Sequence, residues 1–592
     1  MYSIEQRDEQ VFGTTSQIRY HLHFERAPQH LLVVEMEIDT TEQQLTLVMP
    51  SWTPGSYKIR EFVAHQGNLH VQDNQGNNLP YEWKTKNILS ITSNGSTTVK
   101  VRYTYYANER TVRTMHINRW RAFIMPVNCL MYVDGRMNEV HHVYLHHNTQ
   151  EWKQVSTALS PVTHESNPVI VGALNYDVLA DSPIEIGNHQ VQSFEVCGAK
   201  HEVALVAPLE LDIDWLTQQC QVIVETEAQI FGGVPYDRYV FMVQVGMNVY
   251  GGLEHSRCSV NLVDIGQMTD KGKAGTLLAL LCHEFFHTWN IKRIRPVEYG
   301  PFDYINECYS PMLWLAEGFT SYYDDLLSYR CGFMNRDEYI SALGSDHLAK
   351  LERVPGRKAM NTRDASFLAW VKLYAQSPDG NNRHPSYYLK GGIITLMIEL
   401  YIIAQTNGTK RLDDVMRELW KMYLERPEQG VTEQEVYSAI STSTGIDCAA
   451  LLSGMLHGTD DIDYNKFLAP FGLEWTSDIT VSPKVFAGMN TKDDGGKVVI
   501  TSLEDDAPAA LCGLSIDDEI LAVNGLRVTS TGGFAELLQR NGTLQPAQIL
   551  ASCDGKVFEV QLTPSAKQEY RLVVKNTITE EQRTLLNYWL ER

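Results

Sequence analysis

Residues 280–296, LLCHEFFHTWNIKRIRP, carry an apolar run straight into an HExxH string at His283, Glu284 and His287. Apolar positions at helical spacing predict a helix across residues 274–293. At i and i+4 the two imidazoles share one face, one turn apart, where both can hold the same metal ion. Glu284 follows directly, so its carboxylate can reach a water on that metal. Two histidines and a glutamate without a partner would be costly to bury in so apolar a segment, and a metal removes that cost. HExxH also arises by chance, so its surroundings must decide.

A third ligand is available in LWLAEGFTSYY, residues 313–323, where Glu317 stands thirty positions after His287. Ser310 as N-cap and Pro311 in the first turn predict a helix across residues 310–330. Between Ala316 and Gly318 the Glu317 carboxylate could approach a metal closely; its plainer role is a carboxylate on a helix surface. Two His and one Glu leave the fourth zinc position open, which is the catalytic rather than the structural arrangement.

Composition bounds the rest. The chain has 592 residues, 50 Lys plus Arg against 72 Asp plus Glu, a net charge of −22, and 43% hydrophobic residues. That is too apolar for a disordered acidic chain, and the charge repels nucleic acid and anionic lipid. No run reaches the roughly 18–20 apolar residues of a membrane span; the most apolar, residues 391–404, contains Glu399. The start, MYSIEQRDEQ, lacks the basic and apolar regions of a secretion signal. Ten scattered cysteines without a CxxC pair read as reduced thiols, so a cytoplasmic location is expected. Asn94, Asn407 and Asn541 precede glycine and read as turns.

Periodicity divides the chain. Residues 1–185 alternate with period two, as in residues 99–105, and predict a β-rich domain with a hairpin turn at Asn94 and Gly95. Within it SWTPGSYKIREF, residues 51–62, reads as a packed corner without chemistry of its own. Residues 186–474 combine strands with long helices, including residues 391–404, 412–424 and 432–444. Residues 475–570 return to short strands and turns, with short helices at 507–511 and 533–540, and residues 571–592 form a C-terminal extension. The basic run Lys292, Arg293 and Arg295 reads as a helix-end feature that complements the dipole.

HEFFHTWNIKRIRP followed by WLAEGFTSYYDDLL resembles the glycyl aminopeptidase family of zinc metallopeptidases, relatives of aminopeptidase N with a thermolysin-like catalytic domain. The resemblance runs along most of the chain. WTPGSYKIREF is similar to that family's N-terminal signature, GGLEHSRCS to the segment matching the substrate-amine motif, SYYLKGG to the tyrosine segment, and the C-terminal strings to a PDZ domain. It implies a multidomain α+β protein: a β-sandwich-like N-terminal domain, a thermolysin-like, mostly helical catalytic domain, and a C-terminal PDZ domain.

Carried over by position, the resemblance implies one zinc ion per chain held by His283, His287 and Glu317, with Glu284 as general base and proton shuttle. It selects Tyr388, with Tyr387 as competitor, to donate to the oxyanion. Gly251 and Gly252 would let a substrate backbone lie close, Glu254 would pair with its free ammonium group, and His255 is either a substrate contact or a structural hydrogen-bonder. Leu253 and His255 depart from the Met and Asn of aminopeptidase N. Ser321 stands where thermolysin-like enzymes often place an Asp that orients a ligand histidine; Asp324 and Asp325 are the nearest acids. In the PDZ-like module the peptide-carboxylate loop would be Phe486, Ala487, Gly488 and Met489, a poor match to GLGF, so a peptide ligand and intramolecular docking stand as equal alternatives. The expected function is a zinc aminopeptidase acting on peptides with a free N-terminus and small first residues, Gly or Ala. A zinc endopeptidase and a non-catalytic PDZ-bearing scaffold are the alternatives.

Overall fold

The computed structural model describes residues 15–163, 168–478 and 484–591. The opening decapeptide, and with it the reading of the N-terminus, lies outside the described residues.

Alternating burial along Leu31–Asp39 and Thr98–Tyr106 pairs these strands antiparallel inside a seven-stranded sheet. Their inward residues, Val34, Met36, Val101 and Tyr103 among them, share one core with Leu45, Leu47, Leu89 and Ile91 of a separate four-stranded sheet. The N-terminal domain is therefore β-rich and layered. Asn94 and Gly95 do turn with φ of 53° and 78°. However, Ile88–Thr92 pairs with Gln44–Val48 while Thr98–Tyr106 pairs with Leu31–Asp39, so the turn crosses between sheets and is no hairpin. A turn sequence fixes the reversal of the chain but not which strand is its partner.

The middle region is built on a five-stranded sheet. Its strands are β1 (Gln190–Val196), β2 (Ala199–Val206), β3 (Arg238–Gly246), β4 (Gly251–Glu254) and β5 (Cys258–Asp264), in the order β1-β2-β3-β5-β4. Among the described residues β4 pairs only with β5, which leaves its other edge without a strand partner there. Helix α1 (Ile213–Phe231) is capped by Asp212 and ended by Gly232 in the left-handed region. It packs with α2 (Gly275–Phe286), α3 (Phe319–Arg330) and α4 (Tyr387–Gln405) into one large core. Among the described residues α4 alone is long and apolar enough to cross a membrane, and most of it is buried in this core.

The predicted helix across 274–293 ends early, at Phe286. Beyond it the Asn290 side chain donates to the carbonyls of Leu315 and Ala316, at 2.9 and 3.0 Å, and Ile291 takes a φ of 104°. This tie takes the chain off the helical path and toward the segment that bears Glu317. That segment differs as well: Trp314–Gly318 is a π-helical turn leading into α3, not the first turns of a regular helix. Such turns concentrate at functional sites because they re-aim side chains.

The basic run lies past the helix end and serves the loop instead. Lys292 pairs with Asp181 at 2.8 Å, Arg293 donates to the carbonyl of Thr288 at 2.6 Å, and Arg295 donates to that of Glu428 at 3.1 Å.

The PDZ domain has its own core, with Val498, Ile500, Ile520, Phe534 and Ile549. Helices Pro508–Leu511 and Thr531–Asn541 stand where the sequence predicts them. The chain enters through Leu473–Asp478 and returns antiparallel to it through Glu569–Val574. Residues 571–591 then rejoin the middle region: helix Glu580–Trp589 buries Trp589, whose Nε1 donates to the Tyr322 hydroxyl at 3.1 Å. The C-terminal segment thus belongs to the core of the middle region, a placement fixed by a partner more than 250 residues away.

Candidate metal centre and peptide site

Helix α2 places His283 and His287 on one face, and the π-helical turn brings Glu317 against them. His283 Nε2 and His287 Nε2 lie 3.1 Å apart, and Glu317 Oε2 is 3.5 Å from the first and 3.3 Å from the second. A tetrahedral ion with bonds of about 2.0–2.1 Å sets its ligand atoms about 3.3 Å from each other. The three donors already have that spacing.

The outer nitrogens are committed elsewhere. His287 Nδ1 lies 2.8 Å from the Asn290 carbonyl, which can only accept, so the proton is on Nδ1 and the lone pair on Nε2. His283 Nδ1 is 2.9 Å from Asp324 Oδ2, so Asp324 orients this ring in the way left open at position 321. Two nitrogens thereby turned inward face a buried Glu317 Oε2 that has no hydrogen-bond partner. Such a donor set fits a cation. Electrostatics agree: burial opposes charge on both histidines, yet Asp324 and Glu317 at His283, and Glu317 at His287, outweigh it and raise both pKa values. Burial likewise pushes Glu317 up, but the two imidazoles outweigh it and hold its carboxyl at about 2.

Glu284 is on the same turn, 5% exposed, with a buried Oε2 that lacks a partner. Burial pushes its carboxyl up to about 7, against the pull of His283 and His287. Donor atoms of Glu254, Glu284 and His287 lie within 4.8 Å of one another. β4 explains how they meet: Gly252 and Glu254 are two residues apart and share a face. A Cβ on Gly252 would stand 1.8 Å from Glu284 Oε1, so only glycine admits that carboxylate there.

These groups line one pocket of about 420 Å³ together with Gly251, Ser321, Asp324, Tyr388, Gly55 and Arg113. Tyr388 lines it and Tyr387 does not; the latter packs among Trp52, Tyr57 and Trp370. Burial and the nearby Glu317 raise Tyr388 well above the usual phenol range, so its hydroxyl stays a donor, 3.2 Å from the Tyr374 hydroxyl. His255 does not line the pocket: it is 1% exposed and its Nδ1 is 3.0 Å from Asp181 Oδ1.

Gly55 is the largest difference from the sequence reading. The corner at 51–62 is packed as expected, with Trp52 fully buried and its Nε1 donating to Asp303, but it also forms a wall of the site. Gly55 has a φ of 86°, and a Cβ there would lie 2.6 Å from Glu254 Oε1. Proline before glycine signals the turn, and nothing local says what the turn touches. Asn290, Tyr374 and Arg113 were equally silent; Asp324 was visible only as a nearby acid.

In the PDZ module Ala487 and Gly488 join the short strand Val485–Phe486 to the edge strand Met489–Asp494, so Phe486 and Met489 are strand ends and not loop residues. Gly488 has a φ of 73°, and a Cβ on it would meet Ala507 at 2.0 Å.

Comparison with known families bears on the whole chain. Residues 19–188 match the peptidase M61 N-terminal domain, 276–394 match the M61 glycyl aminopeptidase model, and 499–544 match a PDZ domain. The chain belongs to the M61 family. Among solved structures, the M61 chain is similar to an aminopeptidase N family protein from Idiomarina loihiensis, at 28% identity and a TM-score of 0.90, covering 97% of this chain and all of that one. An M1 zinc metallopeptidase from Deinococcus radiodurans is also matched, at 11% identity, a TM-score of 0.46, and 76% and 95% coverage. No curated protein matches the sequence. The M61 family models make this chain a metallo-aminopeptidase in the broad sense.

Proposed function

We propose that the chain is a zinc aminopeptidase, one ion per chain, releasing small N-terminal residues such as glycine or alanine from peptides in the cytoplasm. The observation that carries this is the convergence of three metal-ligand atoms with two further buried glutamates in one pocket. His283, His287 and Glu317 would hold the ion. When bound, zinc supplies a Lewis acid that polarises a carbonyl and acidifies water.

The chain's own residues account for the rest. Glu254, 5% exposed on the edge strand, pairs with the substrate ammonium group and so counts from the free N-terminus. The free edge of β4 takes the peptide backbone alongside. Glu284, with its carboxyl near 7, accepts a proton from the attacking water and returns it to the departing amine. Tyr388 donates to the oxyanion, and Tyr374 orients that phenol. Support for a small first residue comes from Gly55, whose backbone crowds the Glu254 carboxylate. The ten cysteines, all free, suit a reducing compartment. The PDZ loop and its edge strand suit an added peptide strand, from a partner or from within the protein.

Glycine release from glycyl peptides tests the reading. It should require the metal and vanish in Glu284→Gln while the metal is retained. N-acetylated peptides should resist; their cleavage would establish an endopeptidase instead.

A further inference from the structure

Four carboxylates line the metal pocket, and among the described residues a single lysine or arginine joins them, Arg113 from the N-terminal domain. Its backbone is fixed, the amide donating to Thr111 Oγ1 at 3.0 Å and the carbonyl accepting from the Asn128 side chain at 3.1 Å. Its guanidinium makes no ion pair among the described residues, and Nε is buried without a partner. A cation without an ion pair in a pocket for peptides is a binding group open to an anion.

Its place along the edge strand says which anion, given the aminopeptidase reading on which this inference rests. The substrate amine belongs at Glu254 and the scissile bond beside Glu284, whose carboxylate abuts Gly252. A strand advances about 3.3 Å per residue, so the residue after the scissile bond comes level with Gly251. There Arg113 Nη1 lies 3.6 Å from where a Cβ of Gly251 would be, on the face of β4 opposite to Glu284, and it lines the same pocket from that side. We propose that Arg113 binds the C-terminal carboxylate of a dipeptide, making dipeptides with a free carboxyl group the preferred substrates of this site. Glu254 and Arg113 then grip the two ends of the substrate across the metal ligands.

The test compares glycyl-alanine with glycyl-alanine amide, which differ only in that charge, in the zinc-loaded full-length protein. Wild type should favour the free acid in kcat/KM by about 10- to 100-fold, the range of a charged hydrogen bond. Arg113→Gln should abolish that ratio, chiefly through KM, and Arg113→Lys should restore part of it. Equal cleavage of acid and amide by wild type, or a ratio unchanged in Arg113→Gln, overturns the role of Arg113 and leaves the aminopeptidase reading intact. Wild type that releases glycine from neither substrate overturns both.

Discussion

Gly252→Ala tests the geometry of the site with one added carbon. The new Cβ would lie 1.8 Å from Glu284 Oε1, 2.3 Å from Cδ and 2.7 Å from Cγ. Because the clash includes Cγ, rotating the carboxylate tip does not relieve it. Non-bonded carbon and oxygen need roughly 3.0 Å or more, so the carboxylate must retreat by about 1.2 Å. A misplacement of about 1 Å in a catalytic group can cost about 100-fold, or about 2.7 kcal/mol in the barrier. The three nearest atoms to the added carbon all belong to Glu284 and none to His283, His287 or Glu317, so metal content is expected to hold. The assay is kcat on a glycyl arylamide with zinc content measured by elemental analysis on the same sample. A kcat within about threefold of wild type, with full metal, would refute the placement of Glu284 as the base.

Asp324→Asn leaves His283 without its carboxylate and should weaken metal affinity by about 10- to 100-fold, read by competition with a chelator. Asn382→Ala removes side-chain bonds to the Leu503 carbonyl at 2.7 Å and to Asp505 at 3.1 Å, which dock the PDZ domain beside the segment leading into α4. Hydrogen exchange should rise at residues 499–506 while zinc content stays constant; unchanged exchange would deny the latch. At the joint of the first two domains, burial pushes Asp181 up, but Lys292 and His255 outweigh it and hold its carboxyl below the usual range. A depressed carboxylate stabilises the fold fully above its unfolded pKa of about 4 and loses that contribution progressively as pH falls from there through its lower folded pKa. Asp181→Asn should therefore lower the Tm at about pH 7 and still lower it at about pH 3.5, the difference fading only as pH falls further toward the depressed folded value; a Tm unchanged at about pH 7 would contradict the ion pairing.

How far the sequence could be read depended on the range of each interaction. His283, Glu284 and His287 sit within one turn of one helix, so their meeting was written in local spacing. Glu317 needed a motif thirty residues away, and its approach depends on a π-helical turn that hydrophobic periodicity does not encode. Gly318 and Gly391 illustrate the gap: a Cβ on Gly318 would lie 2.7 Å from Gly391, so α4 packs backbone to backbone on the turn that carries the ligand. Each glycine looks unremarkable until the other is placed against it.

By itself the sequence determined the metal-binding helix, the β-rich start, the PDZ-like module and the family resemblance, because these rest on periodicity and short motifs. Tertiary structure alone decided that Asp324 orients His283 and that Gly55 and Arg113 reach into the pocket from another domain, and it placed Tyr388, the residue selected by the resemblance, and not Tyr387 in the pocket lining. It also decided that the last helix completes the catalytic core. The reason is physical: local spacing fixes how one segment coils, whereas a site wall forms where separate cores pack, and that contact has no repeat along the chain to announce it.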